Sequence, residues 1–379
     1  MTDNLFAEAI VVGAGPAGMG TALSLARQGV EVIVLEKMEE VGSSRRGETI
    51  RYDEEMDSLL GGDFFARQTI KKINRRTYFS HTGLNSVSRE ISNPNLIISW
   101  PDFLQSMRDV LLKEGVKIMT SSQVTGFLEE RGRITGVIAK LDGEESEEKE
   151  LKTRGVFSCG GHQDPATQFL NLDRSSIDLP VFKQLINGYA GPADRLEYFF
   201  HVEDGSLAIS TIFPRADSEA EIILMGYPVD SGKSGITMEG FCKQHPLFKD
   251  RISGADVTYS LDTFIPMGGM LDLCSPRPGL MLTGDAMGHV QARGGSGIKA
   301  SFMIGYTAGQ LCAPVVKKGR WSKWTSKKIN KKMEKSKALK SLRKHNFIYS
   351  KLRFLVFNHI ISTPQDMDRY WPVLKHALR

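Results

Sequence analysis

Residues 9–37 read AIVVGAGPAGMGTALSLARQGVEVIVLEK, and this stretch decides the fold of the chain. The apolar run at 9–12 predicts a buried strand, 21–27 predicts a helix, and 30–35 predicts a second strand that ends at Glu36. Between the first strand and the helix lies the spacing G-x-G-x-x-G. Its first glycine permits a tight turn, its second lets the backbone approach a pyrophosphate, and its third lets the helix pack closely on the strand.

The same stretch predicts how a dinucleotide would be held. The helix N-terminus offers free N–H groups and the positive end of a dipole to the phosphates. Glu36 can accept two hydrogen bonds from a ribose diol. The motif leaves open whether the ligand is FAD or NAD. The predicted binding residues here are Gly13, Ala14, Gly15, Pro16, Ala17, Gly18, Glu36 and Lys37.

Composition indicates a globular protein with a large core. The chain has 379 residues, of which 41% are hydrophobic and 25% are charged. Its net charge of +5 hides an asymmetry, because residues 144–150 are acidic whereas 317–353 are very basic and contain a single acid. No apolar run approaches the roughly 20 residues of a spanning helix. The first predicted strand begins so early that we expect no signal peptide.

Cysteine usage excludes several kinds of site. The four cysteines are far apart and form no C-x-x-C pair, so we expect neither a metal site nor a cysteine-ligated iron–sulfur cluster. Such usage fits the reducing cytosol.

Two further motifs follow in the order expected of a flavoprotein. An arginine-bearing loop is predicted at 41–51, and residues 282–290 read LTGDAMGHV, followed by GGSGI at 294–298. With GAGPAG and Glu36, these motifs resemble the flavoproteins of the p-hydroxybenzoate hydroxylase fold. More narrowly, the chain resembles the geranylgeranyl reductase family, whose pattern is roughly GDAAGHV-x-P-x-x-GGGI. The resemblance covers about residues 7–315.

The resemblance implies that the cofactor is FAD. Asp285, next to Gly284, can bind the ribityl hydroxyls, although the same residue type also serves as a helix N-cap. The N–H groups at the start of the following helix can face the N1–C2=O edge of the flavin and stabilise its reduced, negatively charged form. The family further implies Arg45 or Arg46 near the pyrophosphate or flavin, and Val124 against the adenine. The residues of the glycine loop are Gly295, Ser296, Gly297 and Ile298.

The resulting fold class is α/β with α+β character: a Rossmann-like FAD-binding domain, an interleaved antiparallel-sheet substrate domain and a C-terminal helical tail. The FAD-binding domain is assigned to 1–164, including a β-meander at about 120–153, and to 271–315. The substrate domain is assigned to 165–270 and the basic tail to 316–379. Within the first part, 148–153 and 155–159 are predicted as two separate strands.

The sequence departs from the family in three places. Cys159-Gly160-Gly161 stands where related hydroxylases have an Asp-Gly pair, which weakens the interpretation as an NADPH-dependent monooxygenase. Residues 209–214 keep Phe-Pro but lose the Tyr and Trp of the Y-x-W-x-F-P stretch, so the substrate pocket is altered. Serines and Arg46 occupy the loop where archaeal reductases have a cysteine.

Three side chains are candidates for the proton chemistry, each with a structural alternative. Glu48 is either a proton donor or the partner of a neighbouring arginine. His289 titrates in a useful range or packs at the sheet edge. Arg293, just before the glycine loop, is a candidate for holding a substrate carboxylate or tuning the flavin.

The basic tail over 317–361 has three interpretations: docking on anionic lipid, nucleic-acid binding, or a solvated basic helix. No nucleic-acid recognition motif accompanies it, and the apolar and aromatic residues of 346–361 favour peripheral membrane contact by an interfacial helix. The expected location is therefore the cytoplasm, peripheral on the inner face of the membrane.

The predicted function is FAD-dependent reduction of carbon–carbon double bonds in an isoprenoid or other lipid-like substrate. One alternative is a flavin-dependent monooxygenase or halogenase. A second is a flavin protein that transfers electrons or docks a quinone. The sequence does not decide whether the external electron donor is NAD(P)H or a protein.

Overall fold

The protein folds around two β-sheets. A computed structural model describes residues 6–142, 145–174, 178–203, 206–216, 218–227, 245–292, 295–347, 360–361 and 363–378. The strands are β1 Ala7–Val12, β2 Val32–Leu35, β3 Gly47–Arg51, β4 Thr69–Phe79, β5 Ser86–Ser99, β6 Lys117–Met119, β7 Gln123–Glu130, β8 Arg133–Lys140, β9 Glu148–Ser158, β10 Leu179–Asn187, β11 Arg195–Glu203, β12 Ser206–Pro214, β13 Glu219–Tyr227, β14 Asp256–Ile265 and β15 Leu280–Leu282.

The described helices are α1 Pro16–Arg27, α2 Glu54–Leu59, α3 Phe64–Gln68, α4 Trp100–Lys113, α5 Pro165–Phe169, α6 Pro246–Ile252, α7 Ile298–Lys318, α8 Lys323–Lys335 and α9 Pro364–Leu378. A further helical segment covers 337–347, and two 3₁₀ turns cover Gly161–Gln163 and Gly284–Met287.

The first sheet confirms the predicted dinucleotide fold. β1 lies between β2 and β9 and is parallel to both, and β15 joins the far edge of β9. β7, β8 and the first half of β9 form the predicted antiparallel meander. The two strands predicted at 148–153 and 155–159 are one continuous strand, because β9 pairs with β8 in its first half and with β1 in its second.

The second sheet has eight strands in the order β14-β10-β13-β12-β11-β4-β5-β3. It therefore draws three strands from 47–99 as well as those from 165–270. The loop predicted at 41–51 is wrong over its last five residues, since Gly47–Arg51 pairs antiparallel with β5 as an edge strand. Glycine and polar residues lower the intrinsic strand propensity of this segment. The strand forms because it pairs with β5, and that pairing cannot be predicted from the local sequence.

α7 packs directly on α1 through small residues. A Cβ atom on Gly305 would lie 2.2 Å from the carbonyl oxygen of Ala17, and one on Gly309 would lie 2.7 Å from that of Thr21. These separations are far below contact distance, so only glycine allows the two helices this close. The pair of helices covers one face of the first sheet.

The tail folds back on the body at both ends. Trp321, Ile329 and Met333 are buried in the main core, and Trp371 of α9 lies 6.3 Å from Phe200 of the second sheet, ring to ring. The interfacial helix predicted at 346–361 lies mostly outside the described residues. Among the helices that the structure does describe, none is both long and apolar enough to cross a membrane.

Candidate functional site

A cavity of about 1540 Å³ lies between the two sheets, with the carboxyl ends of β1, β2 and β9 on one side and the face of the second sheet on the other. Its volume exceeds the roughly 300–1,000 Å³ of a usual single-ligand pocket. The predicted cofactor residues that line it are Gly13, Gly15, Pro16, Ala17, Glu36, Lys37, Arg46, Val124, Asp285, Gly295, Ser296, Gly297 and Ile298. Ala14, Gly18, Arg45 and Gly284 are not part of this lining.

The glycines of the first motif separate into two kinds. Gly13 has φ +92°, and a Cβ there would lie 2.8 Å from the carbonyl oxygen of Cys159; one on Gly18 would lie 1.9 Å from that of Gly13. A Cβ on Gly15 would meet no atom within 4 Å, because it would point into open space at the cavity wall. Gly13 and Gly18 therefore serve the packing of the turn, and Gly15 keeps the approach to the cavity clear.

Two uncapped helix N-termini open into this one cavity. α1 follows Gly15 and α7 follows Gly297, and neither residue has a side chain to cap the first N–H groups. Free N–H groups and the positive dipole ends of two helices attract negative charge. The arrangement fits FAD, whose pyrophosphate would face α1 and whose flavin edge would face α7.

Glu36 lines the cavity and also organises its rim. Its carboxylate accepts hydrogen bonds from the backbone N–H of Ala14 at 2.7 Å and of Met38 at 3.0 Å. These bonds tie the end of β2 to the glycine turn. Its predicted contact with a ribose diol stays a prediction.

Asp285 presents a carboxyl group to the cavity from the 3₁₀ turn. Burial raises its pKa to about 6, an effect that Arg46 and Arg174 oppose. Within the described part of the chain, no group donates a hydrogen bond to this carboxylate. Ribityl hydroxyls would supply such donors.

Arg174, which the sequence does not predict as a site residue, holds the turn that carries Asp285. Its guanidinium donates to the backbone carbonyls of Ala286 at 2.6 Å and Asp285 at 2.9 Å, and it pairs with Asp178. No motif marks this arginine, because its target lies 111 residues away.

Of the two interpretations of His289, the structure favours a packed structural residue over a group that transfers protons. Its side chain is fully buried, and Nδ1 accepts a hydrogen bond from the backbone N–H of Gly284 at 3.1 Å. Burial lowers its pKa to about 3, so the ring is neutral. Because it lies outside the described cavity lining, His289 acts here as a positioning residue for the turn. Arg293, the third catalytic candidate, lies outside the described residues, as does Gly294.

Glu48 belongs to a buried charge cluster on the second sheet. Its carboxylate lies 2.5 Å from Nζ of Lys183 and 3.1 Å from Nε of Arg46. Burial acts to raise the pKa of Glu48, but Lys183 and Arg46 outweigh it and hold that pKa below its ordinary value. Glu48 and Lys183 both line the cavity.

Glu221 lies behind Lys183 and completes the cluster. Its Oε1 lies 3.8 Å from Lys183 Nζ and has no hydrogen-bond partner among the residues that the structure describes. Burial raises its pKa to about 8, against the opposing charge of Lys183. The cluster therefore pairs an ionised Glu48 with a protonated Glu221.

The turn after β9 is built by Asp164 instead of the Asp-Gly pair of the hydroxylases. The buried Asp164 accepts hydrogen bonds from Ser158 Oγ at 2.7 Å and from the backbone N–H groups of Gly160 at 2.6 Å and Ala166 at 2.8 Å. Gly160 and Gly161 line the cavity as a result. The Asp-Pro sequence before α5 was the available signal, since aspartate favours the N-cap position.

Comparisons with known proteins agree with this geometry. The FAD binding domain family matches residues 7–179. A digeranylgeranylglycerophospholipid reductase of Methanocaldococcus jannaschii is 25% identical over 330 residues, covering 86% of this chain and 81% of that protein.

Two solved structures share the fold. The crystal structure of a geranylgeranyl bacteriochlorophyll reductase-like protein from Thermoplasma acidophilum has a TM-score of 0.81 at 15% identity, covering 98% of this chain and 91% of that one. The myxobacterial chondrochloren halogenase CndH has a TM-score of 0.71 at 14% identity, covering 98% and 90%.

The fold and the cavity thus define an FAD-binding flavoprotein. The chain is an FAD-dependent oxidoreductase, and over most of its length it is similar to reductases of the geranylgeranyl type.

We expect Gly15→Ala to weaken FAD binding without unfolding the protein. The added methyl group enters open space in the cavity wall, where the backbone must approach the pyrophosphate. Titration of apo-protein with FAD should show an affinity at least about tenfold lower. Gly226→Ala is the control, because its Cβ also meets nothing within 4 Å but lies outside the cavity lining. Equal affinities for the wild type and Gly15→Ala would contradict the assigned role of Gly15.

Glu221→Gln should change how stability depends on pH. The folded-state pKa of Glu221 is raised from 4.5 to about 8, so between these values the folded state keeps a proton that the unfolded state releases. The free energy of unfolding therefore falls as pH rises through this window. Urea denaturation from pH 5 to 9 should show a shallower fall for Glu221→Gln than for the wild type or for Glu219→Gln, whose side chain is 45% exposed.

Proposed function

We propose that this protein uses FAD to reduce carbon–carbon double bonds in an isoprenoid or other lipid-like substrate. The first sheet holds the cofactor and the second sheet holds the substrate. The observation that carries the proposal is an apolar strip on the second sheet that lines the cavity beside the glycine loop. Its members are Phe200, Ile209, Phe213, Ile223, Met225 and Ile265.

The strip suits a hydrocarbon chain. Phe200, Phe213, Ile223 and Met225 are each less than a tenth exposed, so a chain laid along them is removed from water. Met225 and Met267 lie near Gly295, whose Cβ would be 3.5 Å and 3.2 Å from their sulfur atoms. The strip therefore reaches the glycine loop, where we place the flavin. The named relative from Methanocaldococcus jannaschii supports a substrate of this class.

In this proposal the cofactor residues keep their predicted roles. The glycine turn and α1 hold the pyrophosphate, and Asp285 holds the ribityl chain. Of the two arginines considered, Arg46 is preferred over Arg45, because Arg46 lines the cavity whereas Arg45 is exposed. Val124 lines the cavity, where it would contact the adenine. When bound, FAD supplies hydride transfer between donor and substrate.

The chain must supply a proton to the second carbon of the double bond. We propose that the Glu48–Lys183 pair does this, instead of Glu48 alone. Glu48 is held ionised, so the transferable proton is on Lys183, whose ammonium group lines the same cavity. Glu221, which lies behind Lys183, retains a proton and can use it to reprotonate Lys183. General acids contribute about 10²–10⁴-fold to the rate of a reaction.

We further propose a cytoplasmic location with peripheral contact to anionic lipid through the basic tail. The face of α8 away from the core carries exposed lysines, and Trp324 beside them is 69% exposed. Lys328 Nζ lies 5.1 Å from the centre of the Trp324 ring. Exposed tryptophan with clustered lysine is typical of a surface that meets lipid headgroups. Three described cysteines are free and buried, as fits a reducing compartment.

The visible spectrum tests the proposed function. Flavin bands near about 370 and 450 nm should bleach with anaerobic dithionite and return when polyprenyl lipid is added. Bands that return only with oxygen would instead support an oxygenase. In Lys183→Met we expect the bands to bleach normally but to return at least about 100-fold more slowly.

Two controls accompany this variant. Lys72→Met removes an exposed lysine from the same sheet and should behave like the wild type. Lys183→Arg keeps the ion pair with Glu48 and tests whether Lys183→Met acts only through lost charge. Reoxidation by lipid at the wild-type rate in Lys183→Met would remove Lys183 from the reaction.

Vesicle flotation tests the membrane contact. The triple variant Lys327→Gln/Lys328→Gln/Lys331→Gln should bind vesicles rich in anionic lipid about 100-fold more weakly, because each lysine contributes about 1 kcal/mol to membrane binding. Neutral vesicles should bind neither protein. The control replaces Lys113, Lys149 and Lys152, which are exposed on other elements. An equal loss in both triple variants would indicate a general charge effect and contradict a docking face on α8.

A further inference from the structure

Three arginines lie close together on neighbouring strands of the second sheet and line the cavity beside the apolar strip. Arg76 of β4 and Arg89 of β5 are directly opposed in the strand register. Arg51 of β3 is opposite Asn95, and the amide oxygen of Asn95 accepts a hydrogen bond from Arg76 at 2.5 Å. A register shift in the β4–β5 pairing brings Asn93 into the same wall. We call these three arginines the arginine cluster.

Two members of the arginine cluster, Arg51 and Arg76, form no ion pair with a carboxylate of the described residues. Within the same part of the chain, Arg76 Nε is buried without a hydrogen-bond acceptor. Burial lowers the pKa of Arg51, and the neighbouring charges of Arg76 and Arg89 lower it further.

The neighbouring arginine on β4 shows the contrast. Arg75 points to the opposite face of the strand, where it pairs with Asp194 at 2.9 Å and Glu90 at 3.2 Å. Among the described residues, acidic partners are thus available on the outer face and absent around Arg51 and Arg76. Clustered cations without such partners cost stability unless an anion offsets them.

Aromatic rings join the arginine cluster to the apolar strip. Tyr78 and Tyr198 stack with ring centres 4.7 Å apart. The guanidinium of Arg76 lies 6.0 Å from the Tyr198 ring and that of Arg89 lies 5.9 Å from the Tyr78 ring. The Tyr78 ring lies 6.4 Å from Phe200, the first residue of the strip. One continuous surface therefore passes from cationic through aromatic to apolar.

We propose that the arginine cluster binds a phosphoryl headgroup carried by the substrate, whose hydrocarbon chain lies along the apolar strip. This inference rests on the proposed function and adds the site that holds the polar end of the molecule. Guanidinium groups suit the oxygens of a phosphoryl group, because they donate two parallel hydrogen bonds. Arg51 is exposed and marks the open side of the site, whereas Arg76 lies deeper.

Calorimetry with the FAD-loaded, oxidised protein tests the site without requiring turnover. Geranylgeranyl phosphate and geranylgeraniol serve as probes, because they share one chain and differ in the phosphoryl group. We expect the wild type to bind the phosphate about 10- to 100-fold more tightly than the alcohol. The double variant Arg51→Gln/Arg76→Gln and the single variant Arg89→Gln should lose most of this preference and keep the affinity for the alcohol. Arg75→Gln is the matched control and should keep the preference.

Binding and turnover of the two probes separate this inference from the proposed function. Equal binding of phosphate and alcohol by the wild type would overturn the inference, and reduction of both probes would then leave the proposed function intact. Failure to reduce either probe would count against the proposed function, while the calorimetric preference still decides the inference. A fall in FAD affinity in the arginine variants would assign the cluster to the cofactor and overturn the inference.

Free inorganic phosphate and NADPH separate a lipid phosphoryl group from other sources. If the variants lose affinity for either of these and bind geranylgeranyl phosphate as the wild type does, the cluster recognises a phosphate that is not on the lipid, and the inference is wrong.

Discussion

Backbone contact around α1 is the constraint on which the rest of the structure depends. The helix is pressed between the turn after β1 and the facing helix α7, with Gly18 against the carbonyl of Gly13 and Gly305 against that of Ala17. Gly20 makes the same kind of contact with Phe302. Because no side chain separates these backbones, the N-termini of α1 and α7 open at one place. Two dipoles that would otherwise be independent can thus act on one molecule bound in the cavity.

The polar groups of the cavity are separated by function along its length. At the glycine end, backbone N–H groups and carboxylates would bind the phosphates and hydroxyls of a dinucleotide. On the second sheet, Lys183 is placed between two carboxyl groups, and the one in contact with the cavity is ionised while the one behind it keeps its proton. The difference in protonation follows from the neighbouring cations, because Glu48 has two cations within 3.1 Å, whereas the nearest cation to Glu221 is at 3.8 Å. A buried cluster of this kind contributes little net stability, which fits retention for chemistry.

The sequence predicted the parts of the site that lie in contiguous motifs. The glycine turn, Glu36 and the Asp285 turn are local, and local geometry follows from residue type. Lys183, Glu221 and the arginine cluster were not predicted, because they lie on different strands and meet only through the register of the second sheet. Arg76 and Arg75 are adjacent in sequence, yet the alternation of a strand gives them opposite faces and different partners. His289 was a reasonable catalytic candidate by type, but its position two residues past the turn directs it into the core, where it holds Gly284.

The last described helix of the tail packs on the second sheet beside the apolar strip. Trp371 covers Phe200, and Asp368 of the same helix accepts hydrogen bonds from Thr82 at 2.8 Å and Asn85 at 2.9 Å. α9 is therefore fastened to the hairpin between β4 and β5, and its Trp371 packs against Phe200 without being part of the cavity lining. Two members of the arginine cluster lie on these same strands, and the third, Arg51, is exposed on β3. A charged headgroup cannot cross the apolar strip at low cost, so a molecule that enters chain first and stops with its headgroup at the arginine cluster meets the least resistance. The same orientation places the far part of the chain beside the glycine loop, where the flavin and Lys183 would act.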